Sequence, residues 1–189
     1  MKKRRLAAIM FTDIEGYTAT MQRSEEEGLG LREKHREVFQ KSTEKFNGQI
    51  LQYYGDGTLS IFDSAVDAVN CGIEMQGAFQ ADPVVPVRIG VHLGDVILSE
   101  EEIIGDGVNV AARIESLAMP GSVLVSEKIY DEIKNSENIS TQFLKKFKLK
   151  NVVDPVGVFA ISNPGMVVPS VDKILAKLES ESSFKKTTR

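Results

Sequence analysis

The order of strand-like and helix-like stretches between residues 6 and 161 constrains the fold more than any other feature of the chain. An apolar run at 6–11, rich in strand formers, ends at Asp13 and Gly16 and reads as a buried strand. A charged stretch at 24–46 carries Leu29, Leu31, Val38 and Phe39 and closes on Asn47-Gly48, the pattern of a mostly exposed helix. Runs at 49–54 and 58–62 flank Gly55-Asp56-Gly57, the composition of a tight hairpin. Asp63-Ser64 then caps a helix whose apolar stripe is Ala65, Ala68, Val69, Gly72, Ile73 and Met75. Strands are predicted at 85–92 and 95–99 around Leu93-Gly94, followed by a helix at 108–118 stopped by Met119-Pro120-Gly121. A strand at 122–125, a helix at 127–134 and an edge pair at 142–149 and 156–161 complete the series.

This β-α-β-β-α-β order, extended at its end, predicts an α+β fold of ferredoxin-like type. Its antiparallel sheet carries helices mainly on one face and is lengthened by a C-terminal hairpin. A chain of 189 residues fits one domain, predicted at 1–162. Beyond it, Asn163-Pro164-Gly165 and Pro169 break the pattern, so 163–189 is expected to be a linker or short helical tail, leading on to a further domain.

A net charge of −4 offers no basic field for nucleic acid or an anionic membrane, and Lys2 to Arg5 read as a solvated terminus. The single cysteine, Cys71, excludes a disulfide within the chain and suits a reducing compartment; its apolar neighbours make it a small core residue. No apolar run approaches the ~18 residues of a membrane span, so a cytoplasmic location is expected.

Two constellations carry chemistry. Asp13 ends the first strand and Asp56 sits at the tip of the second hairpin, and neighbouring strands would let the two carboxylates converge. Converging carboxylates suit Mg²⁺ or Mn²⁺ carrying a triphosphate, although either Asp taken alone reads first as a turn cap. Gly16 and Gly55 would let phosphates approach the backbone. The second constellation is Asn109 and Arg113, four apart and therefore on one helix face, beside the core stripe Val110, Ile114 and Leu117. An amide beside a guanidinium can orient a ribose and neutralise phosphoryl charge; a solvated face has the same spacing. His35, on the charged helix, is expected to be solvated, and His92, in a strand, to have a satisfied structural role.

Read together, the segments resemble one family. Phe11-Thr12-Asp13-Ile14-Glu15-Gly16-Tyr17-Thr18 resembles the first metal motif of class III adenylate and guanylate cyclases, and Tyr54-Gly55-Asp56-Gly57 the second. Arg88-Ile89-Gly90-Val91-His92-Leu93-Gly94-Asp95 resembles the strand and turn between them and the helix motif Gly105-Asp106-Gly107-Val108-Asn109-Val110-Ala111-Ala112-Arg113. Leu149-Lys150-Asn151-Val152 is similar to the closing hairpin, with Asn151 where Gly is usual. The resemblance covers about residues 5–162 in the family's order. It implies that Asp13, Asp56 and the carbonyl of Ile14 hold two divalent ions, Mg²⁺ or Mn²⁺. Asn109 would then orient the ribose, Arg113 stabilise charge on the α-phosphate, and Lys150 meet the terminal phosphates. It further implies a head-to-tail homodimer with two composite sites, a nucleoside triphosphate substrate and a role in intracellular signal transduction.

The departures concern the base. Members that use ATP commonly carry Lys and Asp where this chain has Gln52 and Glu102, and some carry a phosphate-binding Arg where Asp95 stands. An ionised Glu102 can only accept, which suits the adenine amino group and repels guanine O6, so ATP is favoured over GTP. Two rivals remain: a catalytically weak nucleotide-binding or dimerisation module, and a ferredoxin-like nucleic-acid-binding module, against which the acidic balance argues.

Overall fold

The computed structural model describes residues 3–99 and 103–187. Its elements run β1 (Lys3–Ile14), α1 (Tyr17–Arg23), α2 (Glu25–Lys45), β2 (Gln49–Tyr54), β3 (Gly57–Phe62), α3 (Ala65–Gln80), β4 (Val87–Leu98) and β5 (Ile103–Ile104). They continue with α4 (Asp106–Leu117), β6 (Val123–Ser126), α5 (Glu127–Ile133), β7 (Thr141–Phe147), β8 (Val156–Ile161) and α6 (Val171–Thr187). One open eight-stranded sheet has the order β2-β3-β1-β4-β6-β8-β7, with the short β5 paired to β4. The pairing of β4 with β6 is parallel and the rest are antiparallel. This is the α+β architecture predicted from the element order.

The central strand β1 is apolar on both faces because both are covered. Ala8, Met10 and Ile14 join the larger core under α2, α3 and α5, with Phe39, Phe62, Met75 and Phe79. Ala7 and Ile9 pack on the opposite face with Leu59, Ile61, Val96 and Ala111 of α4. Serine hydroxyls fix four helix starts: Ser24 accepts from Glu27 N, Ser64 from Asp67 N, Ser126 from Ile129 N and Ser170 from Lys173 N.

Where two strands were expected around Leu93-Gly94, β4 runs unbroken for 12 residues. The glycines are there for helix packing rather than for a turn. A Cβ on Gly90 would lie 2.3 Å from Glu115 N, and one on Gly94 2.9 Å from Gly107 Cα. They let α4 lie directly on the sheet, with its start beside Gly94 and its end over Gly90. Upstream, the helix expected at 24–46 stands as α2, and a separate short helix, α1, which the pattern did not suggest, meets it at Ser24.

The tail lies against the same face as α4. Val167 N donates to Gly121 O at 3.1 Å, Ile174 is fully buried among Val110, Ile114 and Leu117, and Lys177 Nζ donates to Ala118 O at 3.1 Å. No helix among the described residues is long and apolar enough to cross a membrane.

Candidate active site

Asp13 occupies the last turn of pleat before β1 ends, opposite Gly57 on β3 and Arg88 on β4. Asp56 sits in the two-residue turn between β2 and β3, so the register of a single sheet brings the two carboxylates together. Burial pushes the Asp56 carboxyl up to about 7, and the hydrogen bond and negative charge of Asp13 push the same way. Gly55 (φ 51) and Gly16 (φ 71) turn the chain on either side of the pair in left-handed conformations where a side chain would be strained. The Ile14 side chain is buried, so this residue offers the site only its main chain.

Two residues that the sequence reading passed over hold this end of the sheet. The Arg88 guanidinium donates to Asp13 Oδ2, and its Nε lies 3.2 Å from Glu115 Oε1 on α4. That second contact is an ion pair too oblique for a hydrogen bond, leaving both atoms without a hydrogen-bond partner among the described residues. Burial pushes Glu115 up to about 7, with Arg88 pulling the other way. Their signal was present: a lone Arg among Val87, Ile89 and Val91 demands a buried counter-ion. Nearby, Glu15 Oε1 lies 3.9 Å from Lys177 Nζ on α6.

His35 is buried rather than solvated. It shares a 2.8 Å hydrogen bond with Thr12 Oγ1 and stacks on Phe79. Leu31, His35 and Phe39 lie four apart on one helix face, which the charge of the stretch concealed. His92 is buried too, but its Nδ1 has no hydrogen-bond partner among the described residues, so the expected satisfied role is not seen.

Asn109 and Arg113 project from α4, Asn109 exposed and Arg113 half-buried, and neither makes a hydrogen bond or ion pair among the described residues. They do not join Asp13 and Asp56. Asn109 lies near the Gly94 end of α4, six strand residues from Arg88, which places it roughly 15–20 Å from Asp13. A cleft of about 900 Å³ opens at that far end, lined by Asn109, Gly105, His92, Lys128, Asp95 and Asn151. Asn151 adopts φ 62, which Asn tolerates, so the hairpin turn survives without the usual Gly. Lys150 beside it is exposed. Gln52 is exposed on β2, opposite Leu59, and Glu102 lies outside the described residues.

The donor set at Asp13 and Asp56 is oxygen-only, which fits a hard divalent cation. No group of three or more His, Cys, Asp or Glu side chains placed to hold a metal occurs among the described residues. Remaining ligands would therefore come from main chain, water or a substrate's phosphates, the usual arrangement for Mg²⁺.

The sequence profile of the "Adenylate and Guanylate cyclase catalytic domain" family matches residues 1–163. A Rhizobium meliloti protein named "Putative adenylate cyclase 3" is 36% identical over 168 residues, covering 85% of this chain and 29% of its own length. An adenylate cyclase of Anabaena cylindrica is 26% identical over 83% of this chain and 37% of its own. Thus the chain spans about a third of the length of these curated relatives. Among solved structures, the adenylate/guanylate cyclase/hydrolase from Silicibacter pomeroyi is 33% identical with a TM-score of 0.78, covering 85% of this chain and 98% of that one. The chain belongs to the adenylate and guanylate cyclase catalytic domain family.

Proposed function

We propose that the chain converts ATP, and more slowly GTP, into the 3′,5′-cyclic monophosphate and pyrophosphate, as a homodimer with two composite sites, supplying a diffusible intracellular signal. The observation that carries this reading is the placement of complementary half-sites on one chain. Two carboxylates stand at one end of the sheet, and an unpaired amide stands roughly 15–20 Å away, with an unpaired guanidinium on the same helix. A second copy related by a two-fold axis would join each half to its complement, twice.

Asp13, Asp56 and the Ile14 carbonyl would hold two divalent cations. Bound there, such ions would lower the pKa of the ribose 3′-hydroxyl and neutralise phosphate charge. Asn109 of the partner chain would orient the ribose so that its 3′-oxygen stands in line with the α-phosphorus. As the new O–P bond forms and the bond to the β-phosphate breaks, Arg113 would neutralise charge on the α-phosphate. Lys150 would meet the departing pyrophosphate. Gly16 and Gly55, with no Cβ and nothing within 4 Å of where one would be, leave room for phosphates against the backbone. Gln52 and Glu102 would face the base, Glu102 accepting from the adenine amino group.

Incubating the purified chain with Mn²⁺ and each nucleoside triphosphate, then identifying products by mass, tests the reading. Cyclic AMP with pyrophosphate is expected. Absence of a cyclic product from every triphosphate would overturn it.

A further inference from the structure

Thr12 and Thr58 face each other across the β1–β3 ladder, one pair before it ends at Asp13 and Gly57. Their hydroxyls are hydrogen-bonded to each other, and Thr12 Oγ1 shares a second bond, at 2.8 Å, with His35 Nε2 on α2. All three residues are at most 2% exposed. Side chains alternate along a strand, so the Thr12 hydroxyl points into the core beneath α2 while Asp13 points to the opposite face. Phe39 and Phe79 lie nearly parallel to the imidazole, with ring centroids 6.4 Å and 5.5 Å away, and hold its plane. Burial lowers His35 to about 4, so at neutral pH the ring carries no charge that would repel a nearby cation. One residue on, Arg36 donates to Gly55 O at 3.4 Å, so α2 also touches the hairpin tip from outside.

Resting on the cation site proposed above, we propose that His35 is a positioning residue of that site: through the Thr12 and Thr58 hydroxyls it locks β1 to β3 and holds Asp13 and Asp56 at the spacing a divalent cation can bridge. The sheet needs a lock at this point. Asp13 and Asp56 carry like charge at the end of a ladder, and without a cation between them their repulsion drives the two strand ends apart. On its other side β3 is held less regularly, because its pairing with β2 shifts register between Ile50 and Gln52. Hydrogen bonds made out of water resist such opening strongly, since each partner pulled away is left unpaired in the core. A hydroxyl suits the middle of the chain: it donates to one neighbour, accepts from the other, and so matches either tautomer of a neutral imidazole. His35 acts through the two threonines and touches no substrate.

Binding of Mn²⁺ alone to the full chain, read from loss of the free-ion electron paramagnetic resonance signal, tests this role without turnover. Wild type binds and Asp56→Ala does not. His35→Phe keeps a ring against Phe39 and Phe79 but no nitrogen, and weakens Mn²⁺ binding about tenfold, the low end of what outer-shell partners contribute. Thr12→Val, which keeps the shape and loses the hydroxyl, weakens it to a similar degree. His35→Gln, whose amide can stand in for the ring nitrogen at Thr12, stays within about threefold of wild type. Ser60→Ala is the control: it removes from the same strand a buried hydroxyl with no hydrogen-bond partner among the described residues, and keeps wild-type affinity. In the cyclase assay His35→Phe needs about tenfold more Mn²⁺ for half its maximal rate, whereas a merely structural loss would lower the rate alike at every Mn²⁺ concentration. Mn²⁺ affinity equal to wild type in His35→Phe, or losses as large in His35→Gln or Ser60→Ala, would overturn the positioning role. If His35→Phe does not fold, Thr12→Val decides, unchanged affinity there being the contrary result. Equal Mn²⁺ binding by wild type and Asp56→Ala would instead remove the cation site itself.

Discussion

Gly90→Ala is the smallest change that separates α4 from the sheet. The added methyl carbon would lie 2.3 Å from Glu115 N and 2.6 Å from Glu115 Cα, whereas ordinary contact begins near 3.4 Å, so the helix must retreat by about 1.1 Å. Both close neighbours are backbone, so no side chain can swing aside. Overpacking of this kind costs ~1–3 kcal/mol, which for a chain of this size lowers Tm by roughly 2–12 °C. The same retreat carries Glu115 from 3.2 Å to beyond 4 Å from Arg88 and shifts Asn109 and Arg113 with it. A displacement of ~1 Å at positioning groups lowers kcat on the order of 100-fold, far more than the stability loss accounts for. Gly77→Ala is the control, because a Cβ there meets nothing within 4 Å in α3; it should gain ~0.5–1 kcal/mol and keep full activity. Thermal melts by circular dichroism and steady-state cyclase rates on both variants read the outcome. Gly90→Ala with wild-type Tm and kcat would show that α4 does not bear on β4 as described.

Asp13→Ala, Asp56→Ala and Asp56→Asn should each abolish cyclic nucleotide formation while the fold persists, since a neutral amide cannot offset cationic charge; near wild-type rates in Asp56→Ala would remove the assignment. Comparing kcat/KM for the two nucleotides should show a modest ATP preference, well short of ~10⁴-fold, which Gln52→Lys sharpens; a clear GTP preference would mean that Glu102 does not read the base. Burial lowers His35 and His92 to about 4, with the Lys128 charge adding to the effect at His92. Between pH 6.5 and about 4 the unfolded chain therefore binds protons that the folded chain refuses, so stability rises with pH across that window and is lost as pH falls through it. Each histidine contributes up to ~1.4 kcal/mol per pH unit there, and His35→Gln should flatten the slope of denaturant stability against pH; an unchanged slope contradicts the assignment.

The sequence was most legible where one local pattern has one structural meaning. Gly55-Asp56-Gly57 between two β-rich runs is a hairpin, and Ser64 three residues before Asp67 is a helix start; both stand as expected. It was least legible where a residue answers to a distant neighbour. Gly94 looks like a turn until Gly107 Cα is seen above it, and only then does β4 read as one strand. His35 looks solvated in a charged stretch because its partners, Thr12 and Phe79, are 23 and 44 residues away. Arg88 and Glu115 escaped for the same reason: their pairing depends on α4 crossing β4, which no local spacing encodes. Asp13 and Asp56 were found because each lies in a distinctive motif, and their convergence follows from the β1–β3 register.

The central claim is that each site draws on two chains, and complementation tests it most directly. Asp56→Ala and Arg113→Ala should each be inactive alone. Co-refolded in equal amounts, half of the dimers would be mixed, and each mixed dimer would hold one intact site of two. The account predicts recovery to roughly a quarter of the wild-type rate. No recovery, with mixed dimers demonstrated by native mass spectrometry, would contradict it and place the whole site within one chain.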